Sequence, residues 1–257
     1  MELILLQPQD LILALGLIAI AIGLSAWQNL GLEWQLTLAA GRTLLQLMVV
    51  GYLLAAIFAW KNPVAVLGVL GIMLTIATIE ARNRIGKKIP NLLPLVWGAL
   101  LVSTAATLSY INLLVIRPPN WYDPQYLIPL GGIVLGNAMN GAAIGGERLA
   151  RTIQSSRNEI ETHLCLGATP EQVIAPYRKE AIRAGLIPTL NQMMVIGIVQ
   201  LPGMITGQIL SGIDPQEAAS YQILIMFMLA FANLITTSLV TQGLYRQFFT
   251  SADQLVI

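Results

Sequence analysis

Residues 92–115 read LLPLVWGALLVSTAATLSYINLLV, with no charged side chain in the run. Coiled as a helix at 1.5 Å per residue, such a stretch reaches about 36 Å, enough to cross the ~30 Å hydrocarbon core of a bilayer. A barrel strand would be shorter and would alternate polar with apolar positions, which this run does not. In lipid the backbone must satisfy its own N–H and C=O groups, so a spanning helix is the expected structure.

Comparable stretches at 10–27, 36–60, 63–80, 126–146, 184–210 and 221–243 bring the expected number of spans to seven. Across 257 residues, 56% are hydrophobic and 11% charged, against about a quarter charged in an ordinary soluble domain. The expected class is an all-α integral membrane protein, one domain over 1–257. The first run lacks the basic lead and small-residue cleavage site of a secretory signal, carrying Glu2 and Asp10 instead, and is read as a retained span.

Charge sets the expected orientation. Four basic residues fall in Glu80–Lys88 and six in Glu147–Arg183; with Arg42 and Arg246, twelve of the fourteen Lys and Arg lie on one side of a seven-span chain. Lys61 and Arg117 remain on the other. Cytoplasmic loops retain Lys and Arg, which places the N-terminus outside and the C-terminus in the cytoplasm. The small size and short loops suit a bacterial inner (plasma) membrane. A net charge of +1 gives no field for nucleic acid.

Several chemistries are absent from the sequence. No Gly-x-x-x-x-Gly-Lys-Ser/Thr loop is present to cradle ATP, and no His-Glu-x-x-His or Gly-x-Ser-x-Gly motif occurs. One cysteine excludes an intrachain disulfide or a paired-cysteine zinc site. His163 with Cys165 offers two soft ligands and no third, so ordinary residues of a cytoplasmic helix are the better reading. The chain is not expected to be an enzyme, and no cofactor or defined metal site is assigned to it.

The cytoplasmic segment 147–183 has a readable shape. Thr169 and Gln172 form a capping box and Pro170 occupies a first helical position, so a helix starts there. A preceding helix ends at Leu166, where Gly167 can adopt the left-handed conformation. Helix, tight Leu-Gly-Ala turn, helix makes an elbow that can dock into a cleft of a partner; an amphipathic loop lying on lipid headgroups is the alternative on spacing alone.

The elbow resembles the coupling region of ABC-transporter permeases: an acidic helix from Glu161 to Ala168, then a second helix entering a span through Ala184-Gly-Leu-Ile-Pro188. Further blocks extend the resemblance over nearly the whole chain: Gly41-Arg42-x-x-x-Gln46-Leu47, Val50-Gly51-Tyr52, Gly136-Asn137-Ala138-Met139, Leu166-Gly-Ala-Thr-Pro170, Leu186-Ile-Pro-Thr189, Leu201-Pro-Gly-Met204, Gly212-Ile-Asp-Pro215 and Met226-Phe-Met-Leu229. Together they resemble the Fet-type family of iron-export ABC permeases, which includes plant permeases linked to aluminium tolerance. The resemblance implies a homodimeric permease, a separate cytoplasmic ATPase subunit carrying ATP and Mg, and coupling through Glu161, Leu164, Leu166, Gly167, Ala168 and Thr169.

Pathway candidates follow from polar residues among apolar ones. Arg42 and Gln46 lie one turn apart on one face of span two, as a gate or coupling contact, or as a headgroup anchor. Span five carries Gly132-x-x-x-Gly136 and Gly141-x-x-x-Gly145, which let backbones approach; Asn137 and Asn140 there either satisfy neighbouring helices or line the pathway. Span six holds Asn191, Gln192 and Gln200, then Pro202-Gly203, so its outer half is expected to kink or break and expose carbonyl oxygens suited to a cation. Met193, Met194 and Met204 add thioethers, which favour soft metals and equally fill gaps between helices. Asp123, Asp214 and Glu217 stand at the outer turns, as cation attractors or solvated turn residues. The other function classes are a scaffold or non-metal transporter recruiting a soluble partner through the elbow, and a stand-alone secondary transporter, weakened by the lack of an acidic or histidine relay in the spans.

Overall fold

The computed structural model describes residues 8–60, 62–87, 89–250 and 252–256. Glu2, Lys61 and Lys88, used in the charge argument, lie outside the described residues. The helices are α1 (Pro8–Trp27), α2 (Glu33–Trp60), α3 (Pro63–Ile85), α4 (Leu92–Tyr110), α5 (Pro124–Ser155), α6 (Arg157–Cys165), α7 (Pro170–Val195), α8 (Gly203–Leu210) and α9 (Pro215–Arg246). A π-helical segment, Ile111–Ile116, prolongs α4. Among the described residues no strand forms, and extended pairing is confined to isolated bridges. Among the described residues five helices are long and apolar enough to cross a membrane: α2, α3, α4 with its π-helical end, α5 and α9. The chain is an all-helical, multi-pass membrane protein.

Four helices begin by one local device. Asn62, Asp123, Thr169 and Asp214 each accept a hydrogen bond from a backbone N–H of the first turn, and each is followed by a proline at the first helical position. The caps satisfy donors that a helix start otherwise leaves open, and proline gives up an N–H that had no partner there.

Two bodies form. The first holds α1 and α2, grouped with Leu210–Gly212. Its turn is closed by Ser25, whose hydroxyl donates to Glu33 Oε1 at 2.8 Å and accepts from Leu32 N at 3.2 Å. Asn29 and Gly31 take positive φ in that turn. Arg42 and Gln46 are exposed on α2, on one face as their spacing requires.

The second body is a bundle in which α5 packs on α9, α3 and α7. Its core has two ends. One unites Ile85, Leu92, Leu149, Ile153, Ile160, Ile174, Leu244 and Phe248, and so gathers the α3–α4 connection, α6, the start of α7 and the end of α9. The other joins Leu108, Ile111, Leu130, Ile225 and Leu229, with Met193, Ile196 and Met204 against it. Helix α7 touches both clusters, so it runs from one end of the bundle to the other.

Several spans differ from their expected limits, α9 beginning at Pro215 rather than 221 among them. Helix α3 runs on to Ile85 and α5 to Ser155, past the expected ends at 80 and 146, carrying charged residues beyond the apolar run. The stretch 184–210 is not one helix. It divides into the last part of α7, a turn at 196–202, and α8. The break precedes Pro202: Gly197 has φ +79° and its N–H donates to Gln200 O at 3.0 Å, a contact that turns the chain out of the helix.

Candidate functional site

The elbow forms as the spacing requires. Helix α6 closes with a Schellman pattern, Ala168 N donating to His163 O at 3.1 Å and Gly167 N to Leu164 O at 3.0 Å. Gly167 sits at φ +90°, where a Cβ is strained. Thr169 Oγ1 accepts from Gln172 N at 3.3 Å while Gln172 Oε1 accepts from Thr169 N at 3.0 Å, completing the capping box. Helix α6 ends at Cys165 with Leu166 as its cap, one residue before the expected end.

The elbow is tied to the bundle on its inner side and bare on its outer side. Leu164 and Ala168 pack against the core, and Ile160 is fully buried. Glu161 pairs with Arg157 at 2.7 Å along α6. Arg148 of α5 pairs with Glu180 of α7. Tyr177 of α7 is half-buried; burial, then the Glu159 carboxylate beside it, push its phenol above the ordinary tyrosine value. Leu166 is 79% exposed. Residues after α9 complete the surface: Val256 N donates to Phe248 O at 2.8 Å and Thr250 N to Gln254 O at 2.9 Å, so the chain doubles back. Ala252–Leu255 then form one wall of a cleft whose other wall is Glu161, Leu164, Gly167 and Thr169.

At mid-bundle the structure gathers a polar network on α5, α7 and α9. Asn233 of α9 is fully buried. Its Nδ2 donates to Thr189 Oγ1 at 2.8 Å and to Gly185 O at 3.2 Å, and its Oδ1 accepts from Thr237 Oγ1 at 3.0 Å. Thr189 Oγ1 in turn donates to Asn137 Oδ1 at 3.1 Å. The network fits because α5 offers no side chain at Gly141: a Cβ there would lie 1.6 Å from Asn233 Oδ1. Buried amides in an apolar surround are costly unless bonded, and this one is bonded on both its oxygen and its nitrogen.

The remaining sequence candidates are dispersed. Asn137 belongs to the packing network; Asn140 accepts from Arg84 Nη1 at 3.2 Å, joining the end of α3 to α5. Asn191 and Gln200 are exposed, Gln192 is half-buried, and Met204 packs at the outer cluster. Met194 points outward at 71% exposure, so it does not share the interior with Met193. Asp123 and Asp214 are helix caps, accepting from Gln125 N at 3.1 Å and Gln216 N at 2.8 Å. Among the described residues no group of three or more His, Cys, Asp or Glu could hold a metal. Sequence reasoning missed Asn233, Thr237 and Thr189; the signal was a lone Asn in an apolar span, one turn before a Thr pair, with two small-x-x-x-small pairs on another span to receive it.

Comparison with known proteins agrees in length as well as pattern. Residues 8–249 match the model of a family described as "Uncharacterised protein family (UPF0014)". A UPF0014 membrane protein of Synechocystis sp. is 57% identical over 95% of this chain and 94% of its own. The "Probable iron export permease protein FetB" of Escherichia coli is 34% identical over 97% and 95%, and "Protein ALUMINUM SENSITIVE 3" of Arabidopsis thaliana 33% over 94% and 87%. No solved structure matches. With the family pattern running from α1 into the residues after α9, on a bundle of membrane-length helices, this chain belongs to the UPF0014 family of membrane proteins.

Proposed function

We propose that the chain is the permease subunit of an ABC transporter, a single permease domain that works as a homodimer and is driven by a separate cytoplasmic ATPase carrying ATP and Mg. The observation that carries the reading is the elbow: an exposed Leu166 on a turn locked by Gly167 and Thr169, feeding into a helix that runs the length of the bundle. Helix α7 has 26 residues, about 39 Å at 1.5 Å per residue, so one continuous helix joins the elbow to the break at 196–202, with Pro176 and Pro188 in its interior.

The proposed topology has seven crossings, with the N-terminus outside and the elbow, the α3–α4 connection and the C-terminus in the cytoplasm. Charge supports it, as does the gathering of those three segments at one end of the core. Helix α1 supplies the first crossing and α7 with α8 the sixth. Helix α7 as a whole is less apolar than the other spanning helices because its first half, with Glu171, Arg178, Lys179, Glu180 and Arg183, is cytoplasmic.

In mechanism, two ATPase subunits close on ATP and draw the paired elbows together. The bundle then exchanges an inward-facing for an outward-facing arrangement, because the closed ATPase favours one of the two. The cargo is a metal ion moved outward, with iron the first to test, since one relative is named for iron export. Arg42, Gln46, Asn140, Asn191, Gln192, Gln200 and Met204 are the pathway candidates; Asn137 serves the packing network first.

The test is to purify the chain with its candidate phosphate-loop ATPase and measure ATP hydrolysis in proteoliposomes with and without iron(II) and other divalent metals. Metal-stimulated hydrolysis with matching metal movement is expected. A chain that binds no ATPase and alters no hydrolysis overturns the reading.

A further inference from the structure

Where α7 stops, the bundle has an open cavity of about 430 Å³ bounded by α7, the turn, α8 and α9. Its walls are mostly apolar and include Met193, Pro202, Met226 and Phe227. One wall residue does not suit an apolar filling. Gln222 is only 6% exposed, and its Oε1 is buried without a hydrogen-bond partner. An amide oxygen left so in an apolar surround is costly, and a hydrogen-bond donor or a cation would satisfy it. The backbone supplies further acceptors. The N–H groups that would have bonded Met193 O and Met194 O are turned elsewhere, Gly197 N to Gln200 O and Ile198 N to Val195 O. The last carbonyls of α7 thus end in the break, at the negative end of the helix dipole.

We propose that this cavity is a transit site for a soft, monovalent metal cation of the copper(I) class, held by the thioethers of Met193 and Met226, by Gln222 Oε1 and by carbonyl oxygens at the end of α7. This rests on the permease reading above and names, as cargo, a monovalent class in place of the iron(II) given there, so copper(I) joins the metals of the coupling test. The charge class follows from the donors, all neutral: ionic desolvation rises with the square of the charge, and no carboxylate lines the cavity to offset a divalent ion. Softness follows from sulfur, since thioethers select copper(I) over the harder divalent ions. Met226 and Gln222 lie one turn apart on α9, and Met193 comes from α7, so the donors sit on two helices that the α7 displacement would separate. Release by separation suits a site that must let its ion go.

Silver(I), a redox-inert stand-in, is the probe. The assay uses the full chain in detergent, without ATPase, in a Cys165→Ser background so that the exposed thiol does not capture the metal. One tightly bound silver per chain is expected, with sulfur neighbours in its X-ray absorption spectrum and no displacement by an equal concentration of iron(II). Met193→Leu with Met226→Leu should weaken binding about tenfold or more, and Gln222→Leu should weaken it to a smaller degree. Met48→Leu, on the exposed face of α2, should leave it unchanged. Failure of the Cys165→Ser chain to bind silver, or undiminished sulfur-ligated silver in the double methionine variant, overturns the site. Since no ATPase is present, a negative result here leaves the coupling test standing, and a failed coupling test leaves this one readable.

Discussion

Gly141→Ala puts one methyl where the structure has no room. The new Cβ would fall 1.6 Å from Asn233 Oδ1 and 2.9 Å from Nδ2, so the amide must leave its place. Three hydrogen bonds go with it, to Thr189, Gly185 and Thr237. At about 0.6 kcal/mol each, the average for bonds between membrane helices, they amount to about 2 kcal/mol. Crowding the α5–α9 contact adds about 1–3 kcal/mol, for a loss near 3–5 kcal/mol. Gly136→Ala is the matched control, because nothing lies within 4 Å of its Cβ position. Unfolding in mixed micelles, followed by circular dichroism as the denaturing detergent fraction rises, measures both. The double variant Gly141→Ala, Asn233→Ala should be no worse than Asn233→Ala alone, because the smaller side chain makes room for the methyl. Equal stability of Gly141→Ala and Gly136→Ala would refute the network's role in holding α5, α7 and α9 together.

Further outcomes concern the elbow. Leu166→Asp alters an exposed side chain, so the thermal midpoint should hold within a degree or two while substrate-stimulated ATP hydrolysis with the partner falls by about tenfold, the loss of one apolar anchor; a lowered midpoint would show that the residue packs inside. Gly167→Val forces a branched side chain to φ +90°, costing about 1–3 kcal/mol, and should speed hydrogen exchange in α6 before it affects α9. The folded state holds the Tyr177 proton more tightly than the unfolded state, so its stabilising share is complete below the ordinary tyrosine value near ~10 and lost as pH rises through the raised one. Exchange protection of α6 should therefore fall in alkali, and Tyr177→Phe should flatten that fall.

Local chemistry made the elbow legible. A capping box at Thr169 and Gln172 and a glycine at 167 act within a few residues, so spacing alone placed both helix ends to within one residue. The same local signal, a cap followed by proline, marks the helix starts at Asn62-Pro63, Asp123-Pro124 and Asp214-Pro215. Hydropathy found the five membrane-length helices but not the helix ends beyond them, since α3 and α5 continue into polar sequence. The break in span six was expected from Pro202-Gly203, yet it occurs earlier, at Gly197, because a positive φ rather than a proline turns the chain. What the sequence concealed was pairing across helices. Asn137 could be read from sequence either as satisfying a neighbouring helix or as lining the pathway, and only the fold shows its bond from Thr189; Gln222 carries no sequence signal for its buried, unpaired oxygen.

Cys165, the chain's single cysteine, stands exposed at the end of α6, one residue from Leu166. A short thiol-directed photocrosslinker placed there asks most directly whether the elbow is the ATPase docking point. Crosslinking to the ATPase subunit, strengthened or weakened by ATP and lost in Leu166→Asp, is the expected result. An ATPase that binds and hydrolyses with the chain while Cys165 never crosslinks and stays open to modification would contradict it.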